Sequence, residues 1–108
     1  MLKEFRIGNM KYKIEYEEKL ILNARQCLGY IDYDKHIIFL DKEVQDEQSL
    51  LLTLIHELTH GILFEAGLNE INTEENVEII SKALHQFYID NLQNKKSGLV
   101  ENIQRELC

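Results

Sequence analysis

The stretch Leu54-Ile55-His56-Glu57-Leu58-Thr59-His60-Gly61-Ile62 constrains this chain more than any other. It sets His-Glu-x-x-His inside an apolar, helix-forming run. Residues four apart on an α-helix lie about 40° apart around the axis and about 6 Å apart along it. His56 and His60 then project the same way, and both imidazoles can reach one Zn²⁺ with bonds of about 2.0–2.1 Å. Glu57, beside the first histidine, can reach a water on that ion without being a ligand. The spacing therefore suits a zinc site with a glutamate general base.

The context supports a helix with a cleft on one flank. On a helical wheel, Leu51, Leu54, Ile55, Leu58, Ile62 and Ala66 share one broad apolar face, predicted to be the core stripe. His56 and His60 fall nearly opposite its centre, beside Thr53, with Leu52, Leu63 and Phe64 around them. Histidines that merely pack in a core belong within the stripe, and these do not. A position between a core stripe and a second, partly apolar surface suits a cleft wall.

The rest of the chain reads as one α+β domain, residues 1–108. Residues 1–45 are mainly β, 46–66 form the motif helix, 73–94 a second helix, and 97–108 a tail helix or disordered segment. Gly8-Asn9 lies between the alternating runs Phe5–Ile7 and Met10–Tyr16, a two-residue hairpin signal. Leu20–Leu22 is readable as a short helix or a strand end. Gly29–Tyr33 and His36–Asp41 form a second hairpin, with Ile31, Tyr33, Ile37 and Phe39 expected to face inward. The expectation is a small antiparallel sheet of three to four strands, whose edge strand could take a peptide by strand addition. Asp46 or Ser49 can cap the motif helix and Gly67 can stop it. Thr73 can cap the second helix, with Glu74 and Glu75 in its first turn and an apolar stripe of Val77, Ile80, Ala83, Leu84, Phe87 and Tyr88.

Composition narrows the partners. The net charge is −7, and the only basic pair is Lys95-Lys96. That argues against direct nucleic-acid binding and against a membrane surface. No apolar run is long enough to span a bilayer, and Met1–Arg6 has no signal-peptide core, so a cytoplasmic location is expected. Two cysteines, Cys27 and Cys108, do not make a disulfide framework and read as buried or incidental thiols. The expected partner is a protein or peptide, and the expected state a monomer or weak oligomer.

A catalytic zinc normally has three protein ligands and an open position. The second helix offers Glu74, Glu75, Glu78 and His85 for the third. Glu74, Glu78, Ser81 and His85 form a column beside its apolar stripe, and Glu78 lies a full turn inside the helix. Acidic residues in a first turn are common simply because they favour the helix dipole, so Glu78 is the leading choice. Donors to a developing oxyanion could be His85, Tyr33 or His36.

Residues 29–92 resemble the ImmA/IrrE family of small zinc metallopeptidases, in particular its short phage-encoded members. The resemblance rests on Gly29-Tyr30-Ile31-Asp32, Ile37-Ile38-Phe39-Leu40, Thr53–Leu63 around the motif, and Glu75–Leu84. It implies a minimal zincin-like core with His56, His60 and Glu78 on one catalytic Zn²⁺, a gluzincin-like set, and Glu57 as base. Lys82 stands where the family often has Asn, so Glu75 and then Glu74 remain as alternatives. The implied activity is hydrolysis of a peptide bond in a specific partner, such as a transcriptional repressor, in a bacterial host cytoplasm. The alternative is a non-catalytic zinc-binding regulatory or interaction module of phage or mobile-element origin.

Overall fold

The computed structural model describes residues 3–93 other than Ala24 and Val44. The first strand, β1 (Glu4–Ile7), turns directly into β2 (Met10–Glu17). Ile7 pairs with Met10, so Gly8 and Asn9 alone make the turn. Gly8 has φ +61°, a conformation that costs glycine little and other residues more.

Beyond β2 the sheet departs from the expected antiparallel form. Two short strands follow, β3 (Ile21–Leu22) and β4 (Arg25–Gln26), which pair with each other in a separate two-stranded sheet. Then come β5 (Gly29–Asp32) and β6 (Ile37–Asp41). β6 pairs antiparallel with β5 but parallel with β2, giving a mixed four-stranded sheet in the order β1-β2-β6-β5. A parallel pair needs a crossover of about a dozen residues or more, and residues 18–36 supply it. The crossover is anchored on the end of β6. Asp41, fully buried, accepts hydrogen bonds from Leu20 N (3.0 Å), Glu43 N (2.9 Å) and Gln26 Nε2 (3.3 Å).

The register places Ile31 inward as expected but corrects the rest of the expected inward set of the second hairpin. Its loop is Tyr33–His36, so Asp32 faces Ile37 and Ile31 faces Ile38. Ile38 and Leu40 are buried, while Ile37 and Phe39 lie on the opposite face, where Phe39 stacks on Tyr30. On β6, one residue of parity moves every side chain across the sheet. Ile7, Tyr12, Ile14, Ile38, Leu40 and Leu54 form the core, with Leu50, Leu58 and Ile31 against it.

The motif helix α1 (Glu47–Glu65) begins at Asp46, whose Oδ1 accepts from Ser49 N at 2.8 Å. Leu50, Leu54 and Leu58 pack on the sheet. Gly61 continues this line: a Cβ there would sit 3.0 Å from Ile7 Cδ1 and 3.1 Å from Ile31 Cδ1. Glycine in a helix interior costs about 1 kcal/mol relative to alanine. Here it lets the helix lie close on the sheet, level with His60. The helix ends in a Schellman motif, with Leu68 N donating to Leu63 O and Gly67 N to Phe64 O.

The second helix, α2 (Glu74–Tyr88), starts at Thr73, whose hydroxyl accepts from Asn76 N, and continues as a π-helical turn over Ile89–Gln93. It packs on α1 through buried Val77 and Ser81. Both helical stripes differ from expectation. α1 is covered on two flanks, by the sheet and by α2, so Leu63 and Thr59 are buried while Ile62 is half exposed. α2 is rotated so that the Glu74–Ser81 side turns toward α1, leaving Leu84, Phe87 and Tyr88 exposed. Among the described residues no helix is long and apolar enough to cross a membrane. The expected tail helix, with Lys95-Lys96 and Cys108, lies outside the described residues.

Candidate metal centre

The seam between α1 and α2 collects the side chains that carry chemistry. His56 and His60 face α2, their ring centres 5.1 Å apart. Glu74, the first residue of α2, reaches both rings. Its Oε1 lies 2.8 Å from His60 Nε2 and its Oε2 lies 3.2 Å from His56 Nε2. One ligand atom from each of His56, His60 and Glu74 lies within 4.8 Å of the other two.

Glu78, the leading choice from sequence, is not in that cluster. It sits one turn further along α2, on the other side of the His56 ring. Its Oε2 lies 3.4 Å from His56 Nδ1, and its Oε1 lies 3.1 Å from Lys82 Nζ. Glu78 is thus shared between the His56 ring and an exposed ion pair within its own helix. Glu75 is exposed and also outside the cluster. Glu74 is brought in by the connection between the helices, where Asn72 is tied to His60. Asn72 Oδ1 lies 2.7 Å from His60 Nδ1, and Asn72 Nδ2 donates to His60 O at 3.3 Å and to Tyr33 Oη at 3.2 Å. Nothing in the sequence marks Asn72, because the residue before a helix cap carries no spacing signal.

Glu57 lies one residue from His56, at the floor of the same seam, and is 7% exposed. No hydrogen bond to a described residue holds its carboxyl group. Burial, with the Glu74 carboxylate nearby, pushes its pKa up to about 8. A carboxyl group with a raised pKa beside converging imidazoles is the expected environment of a proton-transfer group.

Two clefts meet at this point. One, about 360 Å³, is lined by Leu28, Gly29, Thr53, His56, Glu57 and Glu78 among others. The second, about 320 Å³, is lined by Leu22, Tyr30, Tyr33, Glu57 and His60 among others. Gly29, Glu57 and Glu74 line both. Gly29 belongs to β5, the edge strand, where a Cβ would be 2.7 Å from Thr53 Cγ2. The absent side chain lets the edge strand run close beside α1.

The three expected oxyanion donors separate. Tyr33 borders the second cleft, stacks on Phe64 with ring centres 4.3 Å apart, and accepts from Asn72. Its hydroxyl pKa is raised, chiefly by burial, although the bond from Asn72 opposes the shift. His36 sits in the hairpin loop with φ +58° and packs edge-on against Tyr12. His85 Nε2 is buried without a hydrogen-bond partner among the described residues, and His85 lines neither cleft. Cys27 is a free thiol, partly buried, with a pKa raised by burial and by the nearby Glu57 and Asp41 carboxyl groups. These shifts make it a poor nucleophile.

The donor set fits a divalent cation. Each ring's Nδ1 already faces an acceptor, Glu78 for His56 and Asn72 for His60. With those nitrogens protonated, both Nε2 lone pairs converge on the Glu74 carboxylate. A shared cation relieves that repulsion. Nitrogen and oxygen ligands about 2.05 Å from a tetrahedral ion lie about 3.3 Å from one another, close to the spacings of Glu74 to the two rings. Comparison with family models, curated proteins and solved structures returns no match for this chain.

Proposed function

We propose that this protein is a zinc-dependent peptidase, with His56, His60 and Glu74 as the metal-binding set and Glu57 as the general base. The observation that carries the reading is the convergence of those three ligands above a buried, non-ligating glutamate with a raised pKa. The resemblance of the motif region to ImmA/IrrE-type enzymes supports the same reading. A zinc ion held by this set would supply a Lewis acid and acidify a water.

The remaining chemistry belongs to the chain. A peptide laid along the β5 edge would run through both clefts and cross the metal-binding set between them. Glu57 takes a proton from the attacking water and returns it to the leaving amine. Tyr33, whose oxygen already accepts from Asn72, keeps its O–H proton free to donate to the developing oxyanion. The substrate is a protein or peptide, with a repressor the class that the resemblance suggests.

The test is metal analysis followed by digestion of a mixed peptide library. The expected result is about one zinc per chain, cleavage that stops on chelation, and recovery with added Zn²⁺. A protein that takes up no divalent metal, or whose His60→Ala variant still cleaves, would rule the reading out.

A further inference from the structure

We infer that Asn72 is a positioning residue, which holds the His60 ring in the Nδ1–H tautomer so that Nε2 faces the metal-binding set. The inference rests on the metal reading above, but it starts from hydrogen bonding that stands without it. Three contacts define the Asn72 amide: Oδ1 on His60 Nδ1, and Nδ2 on His60 O and Tyr33 Oη. Only one orientation of the amide satisfies all three. The backbone carbonyl of His60 has no proton to give, so Nδ2 must face it. Oδ1 then faces the ring, and the ring nitrogen opposite it must be the donor.

The consequence is local and directional. A neutral imidazole carries one proton. With that proton on Nδ1, the lone pair sits on Nε2, the nitrogen 2.8 Å from Glu74. Without an acceptor at Nδ1 the ring is free to take the other tautomer, which points N–H at the ligand position. Such partners fix ring orientation and raise ligand basicity, and their loss typically weakens metal binding by about 10–100-fold.

The same amide ties His60 to Tyr33. Asn72 donates to the phenol oxygen, leaving the phenol proton to point elsewhere. One side chain from the helix connection thereby sets a ring nitrogen on α1 and the hydroxyl of a residue from the β5–β6 loop.

The experiment measures Zn²⁺ affinity by chelator competition for wild type, Asn72→Leu and Asn72→Asp, with folding checked by circular dichroism. Leucine cannot accept from His60; aspartate can. Asn72→Leu is expected to bind Zn²⁺ about 10–100-fold more weakly. Asn72→Asp keeps the acceptor at His60 Nδ1 but sets an oxygen against the His60 carbonyl, and is expected to bind Zn²⁺ more tightly than Asn72→Leu. If Asn72→Leu does not fold, Asn72→Ser replaces it, being small enough to fit and too short to reach the ring. In parallel, ¹⁵N chemical shifts of His60 are read in the metal-free protein at alkaline pH, with the ring neutral. The expected form is Nδ1–H in wild type, with that preference lost in the leucine or serine variant. A folded variant without the acceptor that holds Zn²⁺ as tightly as wild type overturns the inference, as does an Nε2–H ring in wild type. If wild type takes up no zinc, the peptidase reading fails, and the tautomer alone then decides the role of Asn72.

Discussion

Asp41 and Glu57 are both acidic residues of the interior, one fully buried and the other 7% exposed where two clefts meet, yet they are built in opposite ways. Asp41, at the end of β6, is surrounded by donors: two backbone N–H groups and the Gln26 amide. It closes the crossover that the parallel β2–β6 pair requires. Glu57 faces another carboxylate, is held by no hydrogen bond to a described residue, and has a pKa near 8. Under the proposed function, the difference is that between a polar group that completes a fold and one held ready for proton transfer. A carboxylate ringed by donors is held in its charged form, whereas one in a desolvated site beside another carboxylate keeps its proton to higher pH.

The comparison can be broken most sharply by Glu57→Gln. Cleavage of any peptide substrate is expected to fall by about 10²–10⁴-fold, with zinc affinity retained. A glutamine variant that turns over at the wild-type rate would leave Glu57 as a passive buried group.

Asp41→Ala should act on stability alone. It leaves the Leu20 and Glu43 amides without their acceptor, and a loss of about 3 kcal/mol is expected in denaturant unfolding. A loss below about 0.5 kcal/mol would mean that the crossover does not depend on this anchor.

The third prediction concerns pH in the metal-free protein. The Glu57 pKa is raised from 4.5 to about 8. Between those values the folded state holds a proton that the unfolded chain has released, so stability falls as pH rises. Its contribution is complete below about pH 4.5 and is lost as pH rises through about 8. Relative to Glu57→Gln, wild type should lose on the order of 3 kcal/mol between about pH 5 and pH 8. Parallel stability profiles for the two proteins would show that Glu57 is not protonated by its surroundings.

The smallest effect is expected from Thr73→Ala, which removes the cap of α2 and touches neither carboxyl group. About 1 kcal/mol of stability should be lost. The stability difference between wild type and Glu57→Gln should keep its pH dependence in that background, and a change there would show that the cap itself sets the Glu57 environment.

Local features of this protein are legible in its sequence because they depend on residues close along the chain. The Gly8-Asn9 turn, the Asp46 and Thr73 caps and the Gly67 stop are each decided by neighbours a few positions away. The pairing of His56 with His60 follows from helical spacing alone, and so does the place of Glu57 beside them. Tertiary structure decided the rest. The parallel β2–β6 pair arises from the long crossover, and strand alternation carries no mark of strand direction. The buried faces of α1 and α2 moved because each helix meets more than one neighbour, so no single stripe defines the inside. Glu74 and Glu78 lie on one side of α2 and are equivalent in spacing. Asn72 holds the start of that helix against His60 and so sets Glu74 between the two rings, and that contact joins residues that only the packed helices bring together.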